Sequence, residues 1–256
     1  MPVIVIADLD FGYPWWLNHG HLVLVLGTAA LLAAGVAWKW SKWMLMLLGG
    51  LVLWSGTAYL AVRFALQFDG VPALPTQSFL RSGAGRVLDL GAGTGRSSIM
   101  VLQSRPQTTV VALDLFERSF DQHFGVEGDP QQRLLRNLQA AGVDKRATIQ
   151  AADMRKLPFE DASFDGIVSS YAVDHLNREG IGQTLREAAR VVKPGGEFLL
   201  MVIGKDLWLK YTFGPLLMHG GPRGTAWWAG SVKDAGFRVL EEGMAPATSY
   251  VLARRE

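Results

Sequence analysis

From Phe11 to Trp38 the chain runs without an Asp, Glu, Lys or Arg. Within it, Leu22–Trp38 (LVLVLGTAALLAAGVAW) is apolar on every side of a helix rather than along one stripe. A second uncharged run, WMLMLLGGLVLWSGTAYLAV, occupies Trp43–Val62. A helix of about 20 residues is about 30 Å long, the thickness of a bilayer's hydrocarbon core. The pattern therefore predicts two membrane-spanning helices, over about residues 21–40 and 43–63, joined by Lys39-Trp40-Ser41-Lys42. Residues 1–68 form this hairpin unit. Gly27, Ala30, Ala34, Gly49, Gly50 and Gly56 would allow close helix approach, and a homodimer through the hairpin is compatible with them. Trp15, Trp16, Trp38, Trp40 and Trp43 gather at the ends, where amphipathic rings favour the headgroup layer. A cleaved signal peptide fits poorly, because no basic region precedes the first run and a second run follows it.

Asp69–Gly85 is rich in Pro, Gly and Ser and reads as a linker, residues 69–85. From Arg86 to Glu256 the pattern changes to short apolar runs alternating with amphipathic ones. Strands are predicted at Val87–Leu90, Thr109–Leu113, Thr148–Ala152, Phe164–Ser169, Glu197–Val202, Phe237–Glu242 and Ser249–Ala253. Helices are predicted at Thr94–Gln103, Pro130–Ala141, Ile181–Val192 and Thr225–Ala235, the third stopped by a turn at Lys193-Pro194-Gly195-Gly196. This is an α/β domain with a mainly parallel sheet covered on both faces. The last two strands lack an intervening helix, so one of them should insert antiparallel.

Composition sharpens this picture in three respects. Of the 256 residues 49% are hydrophobic, and most of the excess lies before Phe68. A net charge of +2 with no Lys/Arg block argues against a nucleic-acid partner. The absence of cysteine excludes disulfides, a thiolate zinc site and a cysteine nucleophile, and no metal site is expected.

The chemistry centres on Gly91-Ala92-Gly93-Thr94-Gly95, which follows a strand and opens a helix. Glycines there admit positive φ and close ligand approach, a feature shared by dinucleotide and adenosylmethionine sites. Asp89 would face the amino group of a bound amino acid or order the loop. Asp114 ends the second strand about twenty residues on, where a carboxylate can accept both ribose hydroxyls; it could instead cap the next helix. Asp153 follows the third strand and could accept from an adenine amino group, with Met154 packed on the ring, or it could cap a short turn. Asp165, ahead of the fourth strand, reads as structural.

VLDLGAGTG, the Asp114 strand end, AADMRKLPFEDASFDGIVSSYAVDHL and RVVKPGGEFLLMV together resemble class I methyltransferases, and are most similar to the methyltransferase-11 group that includes quinone-ring C-methyltransferases. The resemblance covers about residues 86–256. It implies a Rossmann-like, seven-stranded, mostly parallel sheet with helices on both faces, preceded here by the two transmembrane helices. It also implies S-adenosyl-L-methionine held by Gly91, Gly93, Gly95, Asp114 and Asp153. Asp89, Ala92, Leu115 and Met154 belong to the same turns, and Ser170 lies where the family contacts the methionine part. Asp174-His175 departs from a pair of histidines common in relatives, the segment Leu115–Gln131 is longer than usual, and the hairpin lies outside the resemblance. A nucleotide-dependent oxidoreductase would account for Gly91–Gly95 and Asp114 but not for Asp153 or the Pro-Gly-Gly turn. A membrane-anchored, non-catalytic binding or scaffold protein is the other alternative.

Methyl transfer from a sulfonium is an in-line displacement that mainly needs two reactants positioned. A base is needed only if the acceptor loses a proton; Tyr171, Asp174, His175 and His219 are the candidates. Asp206–Gly221 (DLWLKYTFGPLLMHGG) is apolar and aromatic and lies where the family commonly shapes the acceptor pocket. The expected function is thus an integral-membrane methyltransferase acting on a hydrophobic small molecule or lipid. For the hairpin's orientation, Lys39 and Lys42 argue for a cytoplasmic turn, whereas Arg63, Arg81 and Arg86 argue for a cytoplasmic catalytic domain. The second reading is the expectation here, with the protein in the membrane as a multi-pass protein.

Overall fold

The computed structural model describes residues 9–116, 129–204, 207–214 and 223–256. The first helix, α1 (Trp15–Ala37), starts six residues before the expected position because Pro14, in extended backbone, sets its N-cap. α2 (Lys42–Ala61) is capped by the Ser41 hydroxyl, which accepts from the Met44 amide, and continues through a π turn at Val62–Leu66. Gly35 lets the two helices meet at their turn: a Cβ there would stand 2.9 Å from Trp40 and 3.0 Å from Leu45. Both helices are long and apolar enough to cross a membrane. Their apolar side chains remain largely bare, among them Leu26, Leu31 and Val36 on α1 and Trp43, Met46, Leu47 and Leu53 on α2. Thr28, Ser55 and Thr57 donate their hydroxyls to carbonyls one turn back, so the few polar groups on these faces are satisfied within the helix.

The second unit is a seven-stranded sheet in the order β3-β2-β1-β4-β5-β7-β6. Its strands are β1 (Ala84–Leu90), β2 (Gln107–Asp114), β3 (Ala147–Ala151), β4 (Phe164–Ser170), β5 (Val192–Ile203), β6 (Phe237–Ala245) and β7 (Thr248–Arg255). β1 to β5 are parallel, and β7 inserts antiparallel between β5 and β6, as the missing helix predicted. The helices of this unit are α3 (Arg96–Ser104), α4 (Pro130–Ala140), α5 (Arg178–Val191), α6 (Leu207–Phe213) and α7 (Thr225–Asp234).

The alternation along β1 separates the two faces. Val87 packs with Ile99 and Leu102 of α3 and Leu134 and Leu138 of α4, while Leu88 and Leu90 pack with Ile181 and Leu185 of α5 and Trp228 of α7. The expected turn at Lys193–Gly196 is instead a bulge inside β5: Phe164 pairs with Val192 and Gly166 with Glu197. Asp165 holds that bulge, accepting from Lys193 Nζ at 2.6 Å and from the Arg86 amide at 2.8 Å. A third, smaller core joins the two units: Leu17 of α1, Val62 and Leu66 beyond α2, and Leu209 and Phe213 of α6, with Ile203 and Ala247 at its border.

Candidate cofactor and acceptor site

The Gly91–Gly95 turn leaves β1 at the carboxyl edge of the sheet, and each of its glycines answers a different demand. A Cβ on Gly91 would come within 2.2 Å of Ala172 and 3.0 Å of Met154, so this glycine lets the segments after β3 and β4 close on the loop. A Cβ on Gly95 would strike Leu134 at 2.3 Å, so that glycine seats α4. Gly93, at φ +51°, has open space where its Cβ would stand, and it is the glycine that a ligand can approach. Two of the loop's amides are engaged within the fold: Gly91 and Ala92 donate to the Leu113 carbonyl at 2.9 and 3.0 Å. The Gly93 amide donates to Asp114 Oδ2 at 2.9 Å, and Asp114 Oδ1 accepts from the Phe116 amide. The carboxylate is thereby fixed beside Gly93 with lone pairs still available, as a ribose site requires.

Asp89 does the inner work. It is fully buried, and its carboxylate accepts from the hydroxyls of Ser97 (2.8 Å) and Ser98 (2.6 Å) in the first turn of α3. Burial pushes its carboxyl up to about 6 against the opposing pull of those hydroxyls. Of the two roles open to it, ordering the loop is the one with hydrogen bonds behind it.

Asp153 is committed to its neighbour. Both of its oxygens accept from Arg155, with Nη2 to Oδ2 at 2.6 Å, and the Arg155 amide adds a further bond. That guanidinium holds the carboxyl below the usual carboxylate range, and these bonds order the turn after β3. Met154 flanks Gly91 and remains suited to lie along a ring. Leu115 is exposed just past Asp114, and Ser170 is half-buried at the end of β4.

Beyond β4, Tyr171 takes an uncommon positive φ of 52°. Its amide donates to the Met201 carbonyl and its hydroxyl pairs with Thr248, while burial pushes the phenol upward. Asp174 turns inward: Oδ2 accepts from the Ile203 amide at 3.3 Å, and Oδ1 is buried with no hydrogen-bond partner. Burial raises its carboxyl, against the opposing charges of His175 and Arg223. His175 lies on the exposed side of the same short turn. His219 and most of the segment Leu115–Gln131 lie outside the described residues.

Residues 87–196 match a family model described as a methyltransferase domain. A ubiquinone/menaquinone biosynthesis C-methyltransferase from Dinoroseobacter shibae is 33% identical over 118 residues, covering 46% of this chain and 42% of that protein. A malonyl-[acyl-carrier protein] O-methyltransferase from Methylococcus capsulatus is 29% identical over 59% of this chain and 52% of its own length. The chain thus spans about half or less of the curated relatives it matches. Among solved structures, the S-adenosylmethionine-dependent methyltransferase SibL in its apo form superposes with a TM-score of 0.58 at 20% identity, over 80% of this chain and 58% of that one. An O-methyltransferase family protein from Burkholderia thailandensis gives 0.57 at 18% identity, over 94% and 71%. Residues 87–196 are thus similar to a methyltransferase domain, and the fold is the one these solved methyltransferases share. Such a domain calls for S-adenosyl-L-methionine rather than a dinucleotide.

The methyltransferase domain also has site residues that pattern reading did not reach. Arg96, directly after the glycine turn, donates to the carbonyls of Gln67 and Gly70, each at 2.8 Å, and its guanidinium lies over the rings of Phe11 and Tyr13. Thr94 donates to the Phe11 carbonyl, and Asn137 of α4 bonds both Asp10 and the Thr94 carbonyl. The segment before α1 and the segment after α2 are therefore both fastened to the cofactor loop. Nothing in local composition marks Arg96 for this, because its partners are backbone carbonyls more than 25 positions away.

Proposed function

We propose that the protein is a membrane-anchored S-adenosylmethionine-dependent methyltransferase acting on an apolar, membrane-borne acceptor. One observation carries this reading: the end of the site beyond β5 borders the core that the hairpin builds. Ile203, whose amide binds Asp174, and Ala247, next to the Tyr171 partner Thr248, flank the cluster of Leu17, Val62, Leu66, Leu209 and Phe213.

Gly93 and Asp114 form the floor and ribose-facing wall of the cofactor site, with Met154 along its side. Bound S-adenosylmethionine supplies an electrophilic methyl group on a sulfonium. Asp89 and the Ser97 and Ser98 hydroxyls hold the loop rigid, so that the reactants meet without reorganising it. Asp174 is the base we assign where the acceptor gives up a proton. Its raised carboxyl and unpartnered Oδ1 suit it to receive one, whereas exposed His175 is placed to tune its charge. The bare apolar helices support an anchor in the bilayer, and in this reading the catalytic domain stands on the cytoplasmic side.

The reading is tested with full-length protein, radiolabelled S-adenosylmethionine and a membrane lipid extract. Label should enter an extractable lipid-soluble product. Label confined to water-soluble acceptors would overturn the acceptor class, and a calorimetric titration without cofactor binding would overturn the enzyme.

A further inference from the structure

Resting on the reading of the hairpin as a membrane anchor, we infer that α6 is sunk into the near leaflet and forms a lateral entrance for the acceptor. The hairpin carries its own depth scale. No charged side chain stands between Lys42 and Arg63, a helical length of about 30 Å that matches the hydrocarbon core. Arg63 marks the near boundary, paired with Asp69 at 2.6 Å.

α6 reaches from that mark inward: Leu209 and Phe213 pack with Val62 and Leu66 beside Arg63, while Tyr211 meets α2 deeper. Trp54 Nε1 donates to the Tyr211 carbonyl at 3.1 Å, and Thr57 pairs with the Tyr211 hydroxyl. These two residues lie six and nine positions before Arg63, about 9–14 Å deeper along the helix. α1 gives the same level independently: His21 Nε2 meets the Thr212 carbonyl at 3.0 Å, six residues or about 9 Å inside its start at Trp15.

The contacts are those that a helix end immersed in lipid requires. The last carbonyls of a helix have no partner in the next turn, and in hydrocarbon no water replaces it. Here the carbonyls of Tyr211 and Thr212 are met by side chains from the interior of the two spanning helices. The side chains that α6 leaves bare are apolar and aromatic: Leu207 is 81% exposed and Trp208 52%, with Tyr211, 42% exposed, bridging to α2. Lys210 shares that helix, and its four-carbon stem carries the ammonium part of the way back toward the headgroups. On its inner side α6 buries Leu209 and Phe213 against Ile203 and Ala247, so a molecule passing along α6 from the leaflet arrives beside Asp174 and Tyr171.

The chain has no cysteine, so single cysteines can be placed and labelled without further change. Leu207→Cys, and Trp208→Cys as a second variant, would carry a nitrobenzoxadiazole probe on full-length protein in phosphatidylcholine vesicles. Leu53→Cys on α2 and Arg186→Cys on the far side of the sheet serve as lipid and water references. Nitroxides on the acyl chains should quench the Leu207 and Trp208 probes at least half as strongly as the Leu53 probe, with iodide affecting Arg186 alone. If iodide quenches both α6 probes while Leu53 stays lipid-quenched, the immersion is wrong and the anchor stands. If Leu53 is also quenched by iodide, the anchor reading falls and takes the inference with it. The entrance has its own readout: Leu207→Lys should raise the KM for a membrane acceptor severalfold and leave kcat and cofactor affinity unchanged. An unchanged KM would place the entrance elsewhere.

Discussion

The cofactor edge and the hairpin junction solve the same problem, holding a polar site beside an apolar one, by opposite means. At the cofactor edge the carboxylates find their partners in neighbouring turns. Asp89 binds Ser97 and Ser98, Asp114 binds Gly93 and Phe116, and Asp153 binds Arg155. At the junction the surroundings are greasy, and partners cross more than 150 positions, as between Trp54 and Tyr211 or His21 and Thr212. Carboxylates satisfied in this way keep their positions when more distant parts of the molecule move. The junction exists only while the hairpin and the catalytic domain are docked. The function we propose, transfer to a membrane-borne acceptor, would use both, one part rigid and one part placed by the bilayer.

The largest test falls where the two regions meet. For an acceptor that must lose a proton, Asp174→Asn should lower kcat by about 10²-fold or more, the span of general acid–base catalysis. His175→Ala should stay within about twofold, because its contribution is one of tuning a neighbour's charge. Since burial raises the Asp174 carboxyl, the parent's rate should fall on the acid side at a higher pH than an ordinary carboxylate would give. An intact rate in Asp174→Asn would leave this carboxylate as an anchor for the Ile203 amide only.

Asp89 tests the rigidity of the cofactor edge. Its folded-state value of about 6 lies above the ordinary 3.8, so its contribution to stability is full below about pH 4 and is lost as the pH rises through 6. Asp89→Asn carries no charge at any pH in this window. Its stability relative to the parent should therefore rise between pH 4 and 7, by up to about 3 kcal/mol. Thermal unfolding across that range reads the effect, and a pH-independent difference would show that the carboxyl is not held in a desolvated environment.

Asp114→Ala is expected to act on the ligand rather than the fold. Losing a charge-assisted hydrogen bond costs about 1.5–3 kcal/mol, or about 10- to 150-fold in cofactor affinity by calorimetry. The protein should still insert and unfold cooperatively, because among the described residues the carboxylate supports two loop amides. Unchanged affinity would mean that the ribose site is elsewhere.

How much of this was legible in the sequence follows from the same contrast. The sheet, the antiparallel insertion of β7 and the cofactor turn were readable, because period-2 alternation and glycine spacing are local signals. The order of residues in the two uncharged runs was enough for the helices but not for their ends, which Pro14 and the π turn after Ala61 set. The Lys193–Gly196 turn was misread because a bulge and a turn draw on the same Pro-Gly-Gly chemistry. The roles of Asp89 and Asp153 stayed open, since a carboxylate at a strand end looks alike whether a ligand or a neighbouring side chain fills its lone pairs. Arg96 and Trp54 were not readable at all, because each donates to backbone carbonyls, which carry no residue identity.

The smallest expected effect probes the junction. Trp54→Phe keeps the ring in the interface and removes one donor, the indole N–H to the Tyr211 carbonyl. In water the net cost of such a bond is about 1 kcal/mol. At lipid depth the freed carbonyl has no solvent to turn to, and the cost should exceed that figure. The two settings can be compared directly by unfolding parent and variant in nanodiscs and in a water-permeable detergent micelle. A larger loss in nanodiscs places the end of α6 in hydrocarbon, whereas equal losses would put it in water. Cofactor affinity should not change in either, because no bond of the Gly91–Asp114 edge passes through Trp54. If affinity did fall, the hairpin would be acting on the cofactor loop through Arg96, and the two regions would be coupled rather than merely adjacent.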